Sequence, residues 1–238
     1  MTELTSPPES SARPLGLATR IVGVIFAPRS TYAAIVSRPA VAGVLVVTLL
    51  ISGGLAVWLF SSEAGQHAML AQIEARSGDM PAQQQRAVET FITIIGYAIA
   101  AVQVVLAPLI IALVALLLKG ILNFVYGEKA TFKQAFAVVA HSSVVITVVS
   151  MLSTPLMYVK EDLVSPTRLA VLLPMLPEQG FLTALCNSID LWVIWWLCNL
   201  SIGLAVLYKR KTGGLASTFL GLYGCIALLV ATLRSSFS

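Results

Sequence analysis

The chain has 238 residues, 58% of them hydrophobic and only 11% charged, with a mean hydropathy of +0.89. A water-soluble fold, in which about 25% of residues are ordinarily charged, could not cover its surface with so few. Composition therefore points to lipid as the solvent. The net charge of +4 is spread over connecting segments rather than gathered into a basic run interleaved with aromatics, which argues against nucleic acid as a partner.

Residues 1–14 (MTELTSPPESSARP) are polar and rich in Ser and Pro, and read as a disordered tail. No charged start followed by an apolar core and cleavage site is present, so the amino terminus is expected on the inner side. Residues 15–39 mix apolar positions with Arg20, Arg29 and Arg38, and Pro28 divides the segment in two. This pattern suits a short amphipathic lead-in lying in the interface, and equally a plain approach to the first span.

The first span is expected over 40–60, an uncharged run of about the 20 residues a helix needs to cross hydrocarbon. Residues 61–90 are polar and helix-prone, an outer helical loop with a break marked by Gly78 and Pro81. The second span is expected over 91–118, with Pro108 inside it, and the third over 134–158, after a short basic connection. The fourth covers 187–208 and the fifth 214–233. The expected fold is therefore all-α, a polytopic bundle of about five transmembrane helices.

Orientation follows from the lysines and arginines, which concentrate on the cytoplasmic side. Arg13, Arg20, Arg29, Arg38, Lys119, Lys129, Lys133, Lys209, Arg210 and Lys211 fall on one side. Only Arg76, Arg86, Lys160, Arg168 and Arg234 fall on the other. The amino terminus is thus expected inside and the carboxyl terminus outside. Trp58, Tyr158 and Trp192 at outer span ends, with Tyr126 and Tyr208 near inner ends, have the placement of interfacial anchors.

Polar residues inside hydrocarbon are costly, so each demands a reason. They are Gln103 in the second span, His141 in the third, and Asp190 and Asn199 in the fourth, with Asn123 just before the third. Asp190 reads either as a residue at the headgroup boundary, favoured by a helix amino terminus, or as a functional or helix-pairing residue inside the bundle. His141 reads as hydrogen-bonded to a neighbouring helix, because its depth differs too much from that of Asp190 for direct contact. Trp195, Asn199 and Gly203 recur every four residues, as do Gly213, Ser217, Gly221 and Cys225. The first gives its helix a face with a polar group and a notch, the second a stripe of small residues, and both read as packing seams.

No catalytic or metal pattern is present. His67 and His141 form no H-E-x-x-H, and neither a phosphate-binding loop nor a G-x-S-x-G elbow occurs. His67 with Glu63 one turn earlier reads as a solvated helix face. Cys186, Cys198 and Cys225 have no C-x-x-C spacing and read as small hydrophobes. Nothing implies a cofactor.

Several short motifs together resemble the Yip family, the Ypt/Rab-interacting membrane proteins, in its compact bacterial form. They are Pro28-x-x-x-Tyr32-x-x-Ile35 with Pro39, Asn123-Phe124-x-x-Gly127 with Thr131-Phe132-x-Gln134, and Asp190-Leu191-Trp192 with Gly203 further on. The similarity runs from about Leu17 to Leu233. Many relatives carry a proline shortly after the start of the third span, where this chain has Ser143-Val144-Val145. The resemblance implies membrane organisation or trafficking rather than catalysis. Eukaryotic members bind prenylated Rab GTPases through a long polar amino-terminal region. Only a short tail stands here, so Rab-type GTPase binding is not expected.

The leading expectation is a non-enzymatic scaffold in a bacterial inner membrane, with the bilayer, itself or another membrane protein as partner. The alternative is a small transporter or channel subunit in which Gln103, His141, Asp190 and Asn199 line one path. An intramembrane enzyme is disfavoured because no nucleophile–base or metal spacing is present.

Overall fold

A computed structural model describes residues 15–77, 81–177 and 180–236. The tail expected over 1–14 and the break expected at Gly78 lie outside the described residues. Within them the chain is helical, with one isolated bridge between Arg168 and Asp190.

Two short helices lead in, α1 (Leu17–Phe26) and α2 (Pro28–Ser37), followed by α3 (Ala42–Ser61) and α4 (Glu63–Ser77). A 45-residue helix, α5 (Ala82–Tyr126), comes next, then α6 (Phe132–Ser142) and α7 (Val144–Lys160). The remainder is α8 (Leu169–Leu172), α9 (Phe181–Ser188), α10 (Leu191–Leu207) and α11 (Thr212–Ser236). Among the described residues four stretches are long and apolar enough to cross a membrane: Ala42–Ser61, Ile94–Tyr126, Phe132–Lys160 and Thr212–Ser236. The 17-residue α10 is shorter but equally apolar in character, at the lower end of the ~17–25 residues that suffice.

Local chemistry sets the boundaries. Pro28 starts α2 at its first turn, where a missing N–H is harmless. Gly127 ends α5 in the left-handed conformation, φ 66°, that few other residues adopt cheaply. Thr131 and Gln134 form a reciprocal capping box at the start of α6. At ~1.5 Å per residue, α5 is roughly 68 Å long, more than twice the ~30 Å of hydrocarbon. It therefore projects well beyond the bilayer, and Pro108 lies inside it without ending it.

The membrane-length stretch Phe132–Lys160 turns at Ser143, without a proline. Ser142 Oγ donates to the Val139 carbonyl at 2.8 Å and Ser143 Oγ to the Ala140 carbonyl at 2.7 Å. Hydroxyls that claim helix carbonyls bend helices. The fourth apolar run is likewise divided: α9 ends at Ser188, Ile189 and Asp190 are extended, and α10 begins at Leu191.

The distribution of apolar surface is that of a lipid-embedded protein. In the most apolar part of α5 only 6% of the residues are buried, against 56% in the most apolar part of Phe132–Lys160. Val105, Leu109, Leu113, Leu116 and Ile121 are all more than half exposed or nearly so. Water would penalise that face heavily, and acyl chains do not.

The core lies where α2, α6 and α10 meet. Val24, Tyr32 and Ile35 of the lead-in helices are fully buried there with Val138, Ala140 and Leu204. The lead-in is thus a packed part of the bundle and not only a helix pair resting on its surface. Gly203 makes the close approach possible: a Cβ on it would stand 2.6 Å from Val138 Cγ1 and 2.9 Å from Tyr32 Cε1. Beside it, the Tyr32 hydroxyl donates to Asn199 Oδ1 at 2.5 Å, and Asn199 Nδ2 donates to the Val24 carbonyl at 2.8 Å. One side chain therefore holds both lead-in helices.

Aromatic contacts mark two ends of the bundle. Trp58 stacks on Tyr158 at 5.1 Å between centroids, joining the carboxyl ends of α3 and α7. Tyr126 lies 5.9 Å from Tyr208 and beneath the Arg210 guanidinium, joining the carboxyl ends of α5 and α10.

Two consequences are testable by reversible unfolding in mixed micelles. Gly203→Ala overpacks the α2–α6–α10 junction and lowers stability by about 1–3 kcal/mol, while Gly221→Ala, with no atom within 4 Å of its Cβ position, leaves it unchanged or raised. Asn199→Ala strands the Tyr32 hydroxyl and the Val24 carbonyl together and lowers stability by about 1–3 kcal/mol. Wild-type stability in Gly203→Ala and Asn199→Ala would remove this junction from the account.

Candidate functional site

The intramembrane polar residues are distributed over separate places, and most are occupied by structural bonds. Asn199 is 3% exposed, and its amide is engaged with Tyr32 and Val24. Asn123 accepts the Tyr208 hydroxyl on Oδ1 at 2.9 Å and donates from Nδ2 to the Ala130 carbonyl at 3.1 Å. It thereby ties the end of α5, the 127–131 connection and the end of α10 together.

His141 is fully buried, and its bond stays within its own helix: Nδ1 lies 2.8 Å from the Ala137 carbonyl. The expected bond to a neighbouring helix is not the one made. A carbonyl only accepts, so Nδ1 carries the proton and Nε2 is left as a bare acceptor. Nε2 has no partner among the described residues. No hydrogen bond links His141 to Asp190.

Asp190 is half-buried and caps α10, with Oδ1 accepting from the Trp192 N–H at 3.4 Å and from the Thr167 hydroxyl at 2.5 Å. Its own N–H donates to the Tyr223 hydroxyl at 2.9 Å. Flanking backbone bonds, Leu169 N–H to Ile189 O and Leu191 N–H to Thr167 O, form the short bridge to the 159–180 connection. A carboxylate at a helix amino terminus is favoured by the exposed N–H groups there. Asp190 therefore knits α10, α11 and the connecting loop into one end of the bundle.

Gln103 is the exception, an exposed amide on α5 beside two clefts of about 240 and 210 Å³ between α3, α5 and α7. Hydroxyls from Thr48, Ser52, Thr147, Ser150 and Thr154 line them. Their only trace in the sequence is the four-residue spacing of Thr48 with Ser52 and of Ser150 with Thr154, each pair on one helix face. Most of these hydroxyls return to helix carbonyls: Thr48 to Val44, Thr147 to Ser143 and Ser150 to Ile146. Gln103, His141, Asn199 and Asp190 do not line a common path.

The motif residues have structural roles. Pro28 opens α2, Tyr32 is buried against Gly203, and Pro39 lies in the two-helix junction before α3. Phe124 is 90% exposed near the end of α5, Gly127 terminates that helix, and Phe132 stacks on Phe136 at the start of α6. Trp192 stands in the first turn of α10 and lines the 240 Å³ cleft. Gly213, Ser217 and Gly221 form an exposed face of α11, and among the described residues a Cβ on either glycine would meet nothing within 4 Å.

His67 lies 3.6 Å from Glu161 across an exposed gap between α4 and the end of α7. Among the described residues no three His, Cys, Asp or Glu are grouped to hold a metal. Cys186 is buried, Cys198 half-buried and Cys225 exposed, and all three are free thiols.

Comparison with known proteins adds the family. Neither a curated protein nor a solved structure matches the chain. The Yip1 domain model matches residues 22–233, nearly the whole length and every helix of the membrane core. The chain belongs to the Yip1 domain family of multi-pass membrane proteins.

Proposed function

We propose that the protein is a non-catalytic scaffold that organises membrane through helix–helix association with itself or with another membrane protein. The observation that carries this reading is the α11 face built by Gly213, Ser217, Gly221 and Cys225. Small residues four apart let two helices approach closely and pack backbone against backbone. The other such seam, Asn199 and Gly203 on α10, is filled by Tyr32 from within the chain. The α11 face has no such occupant among the described residues. The other polar groups in the spans are mostly taken up by structural hydrogen bonds, which favours a packing role over transport.

The same reading has five spans in a bacterial inner membrane, amino terminus cytoplasmic and carboxyl terminus outside. Alternating crossings put the ends of α3 and α7 on the outer side and those of α5 and α10 on the inner side. The Trp58–Tyr158 and Tyr126–Tyr208 contacts agree with that pairing. The excess of basic residues on the Lys119–Lys133 and Lys209–Lys211 connections supports the sign.

Two experiments test these statements. Reporter fusions after Leu118 should read cytoplasmic and those after Phe60 should not; the reverse pattern overturns the topology. Oxidative crosslinking in native membranes should trap an adduct through Cys225, absent in Cys225→Ser and reduced severalfold in Gly221→Leu. Material that stays strictly monomeric and partnerless, with Cys225 accessible, contradicts the scaffold.

A further inference from the structure

The helix starts and basic side chains at one end of the bundle meet in a place that no packing role explains. The amino terminus of α2 and that of α11 open on the same cleft, with Arg29, Ala33 and Thr212 common to its two halves. One half, about 640 Å³, is edged by Arg29, Lys209, Arg210 and Lys211, and among the described residues no carboxylate lines it. The other, about 710 Å³, is mostly apolar, with Ala27, Pro28 and Ile202 in its wall.

The local backbone leaves donors free. Residue 27 gives α2 no side-chain cap, Pro28 has no N–H, and neither helix has an acidic residue in its first turn. The first N–H groups of a helix have no partner within it and carry partial positive charge. At the start of α11, Gly213 and Gly214 offer no side chain to obstruct an approaching group. Arg29, Lys209 and Lys211 are exposed and form no ion pair among the described residues. Lys209 is held with positive φ, 52°, between the end of α10 and the start of α11. Arg210 alone is engaged, over the Tyr126 ring and 3.5 Å from the Tyr126 carbonyl.

The geometry points to a binding site for an anionic phospholipid, its phosphate among Arg29, Lys209 and Lys211 and its acyl chain along the Ala27–Pro28–Ile202 groove. Charge complementarity fixes the sign of the headgroup. The apolar half of the same cleft, beside the ends of membrane-spanning helices, selects a lipid over a free phosphate. Basic residues gathered next to a span attract anionic lipid in general; a groove that seats both headgroup and chain retains it as a bound molecule. Arg38, at the end of α2 away from the cleft, supplies the contrast.

Retention of lipid on the detergent-purified full-length chain, read by native mass spectrometry, tests the site. Wild type should retain phosphatidylglycerol in preference to phosphatidylcholine. Arg29→Gln and Lys211→Gln should each reduce that retention roughly fivefold, and Arg38→Gln should not. Ala33→Leu, which fills the junction of the two halves without removing charge, should also reduce it, with helix content and thermal midpoint unchanged. Equal retention of both lipids by wild type overturns the proposal, as does wild-type retention in the Arg29 and Lys211 variants. Equal loss in Arg38→Gln reduces the effect to diffuse surface charge and also overturns it. Displacement of phosphatidylglycerol by millimolar inorganic phosphate assigns the site to free phosphate instead. Retention is scored per chain, so failure here leaves the association reading of α11 standing.

Discussion

Hydrocarbon neither donates nor accepts hydrogen bonds, so a chain that spans a membrane must satisfy its polar groups from within. That constraint organises this protein. Its intramembrane amide and carboxylate side chains are few, and three of them, Asn123, Asp190 and Asn199, serve as ties between helices. Asn199 holds Tyr32 and the Val24 carbonyl, Asn123 holds Tyr208 and the Ala130 carbonyl, and Asp190 holds Thr167 and the start of α10. Because lipid is as apolar as leucine, burial of apolar surface adds little force between helices. Close packing at Gly203 and these hydrogen bonds supply it instead.

The lead-in helices show what this arrangement achieves. Their sequence resembles a surface element, with arginines spaced among apolar residues. Tyr32 and Ile35 are nonetheless inserted between α6 and α10. Gln134 extends the same fastening, since its Nε2 donates to the Val36 carbonyl at 3.3 Å while its Oε1 completes the capping box of α6. The start of α2 faces outward at the basic cleft, while its Tyr32–Ile35 face closes the core.

Much of this was legible in the sequence where composition alone decides. The runs around residues 40–60 and 214–233 are uncharged and uninterrupted, and α3 and α11 occupy them. The long α5 was less legible because Ala82–Arg86 is polar: a helix that leaves the bilayer loses its hydropathy signal while keeping its backbone bonds. The turn at Ser143 carries no Pro or Gly, and its cause, serine hydroxyls bonding to helix carbonyls, has no pattern of its own. The partners of Asn199 lie 167 and 175 residues away, beyond any local periodicity. The α10 and α11 seams were both visible as four-residue repeats, yet one is filled within the chain and the other is left exposed. Spacing alone does not distinguish these outcomes, because a gap shows only which faces can come close and not what fills them.

The fold depends on the lead-in being a fixed component of the membrane core. Amide hydrogen exchange of the full chain in lipid nanodiscs tests this most directly, since protection reports the free energy of local opening. Tyr32–Val36 should exchange as slowly as Leu200–Leu204 of α10, and both segments should lose protection together in Asn199→Ala. Fast exchange over Tyr32–Val36 in the unmodified protein, at the rate of the 161–168 connection, would contradict it.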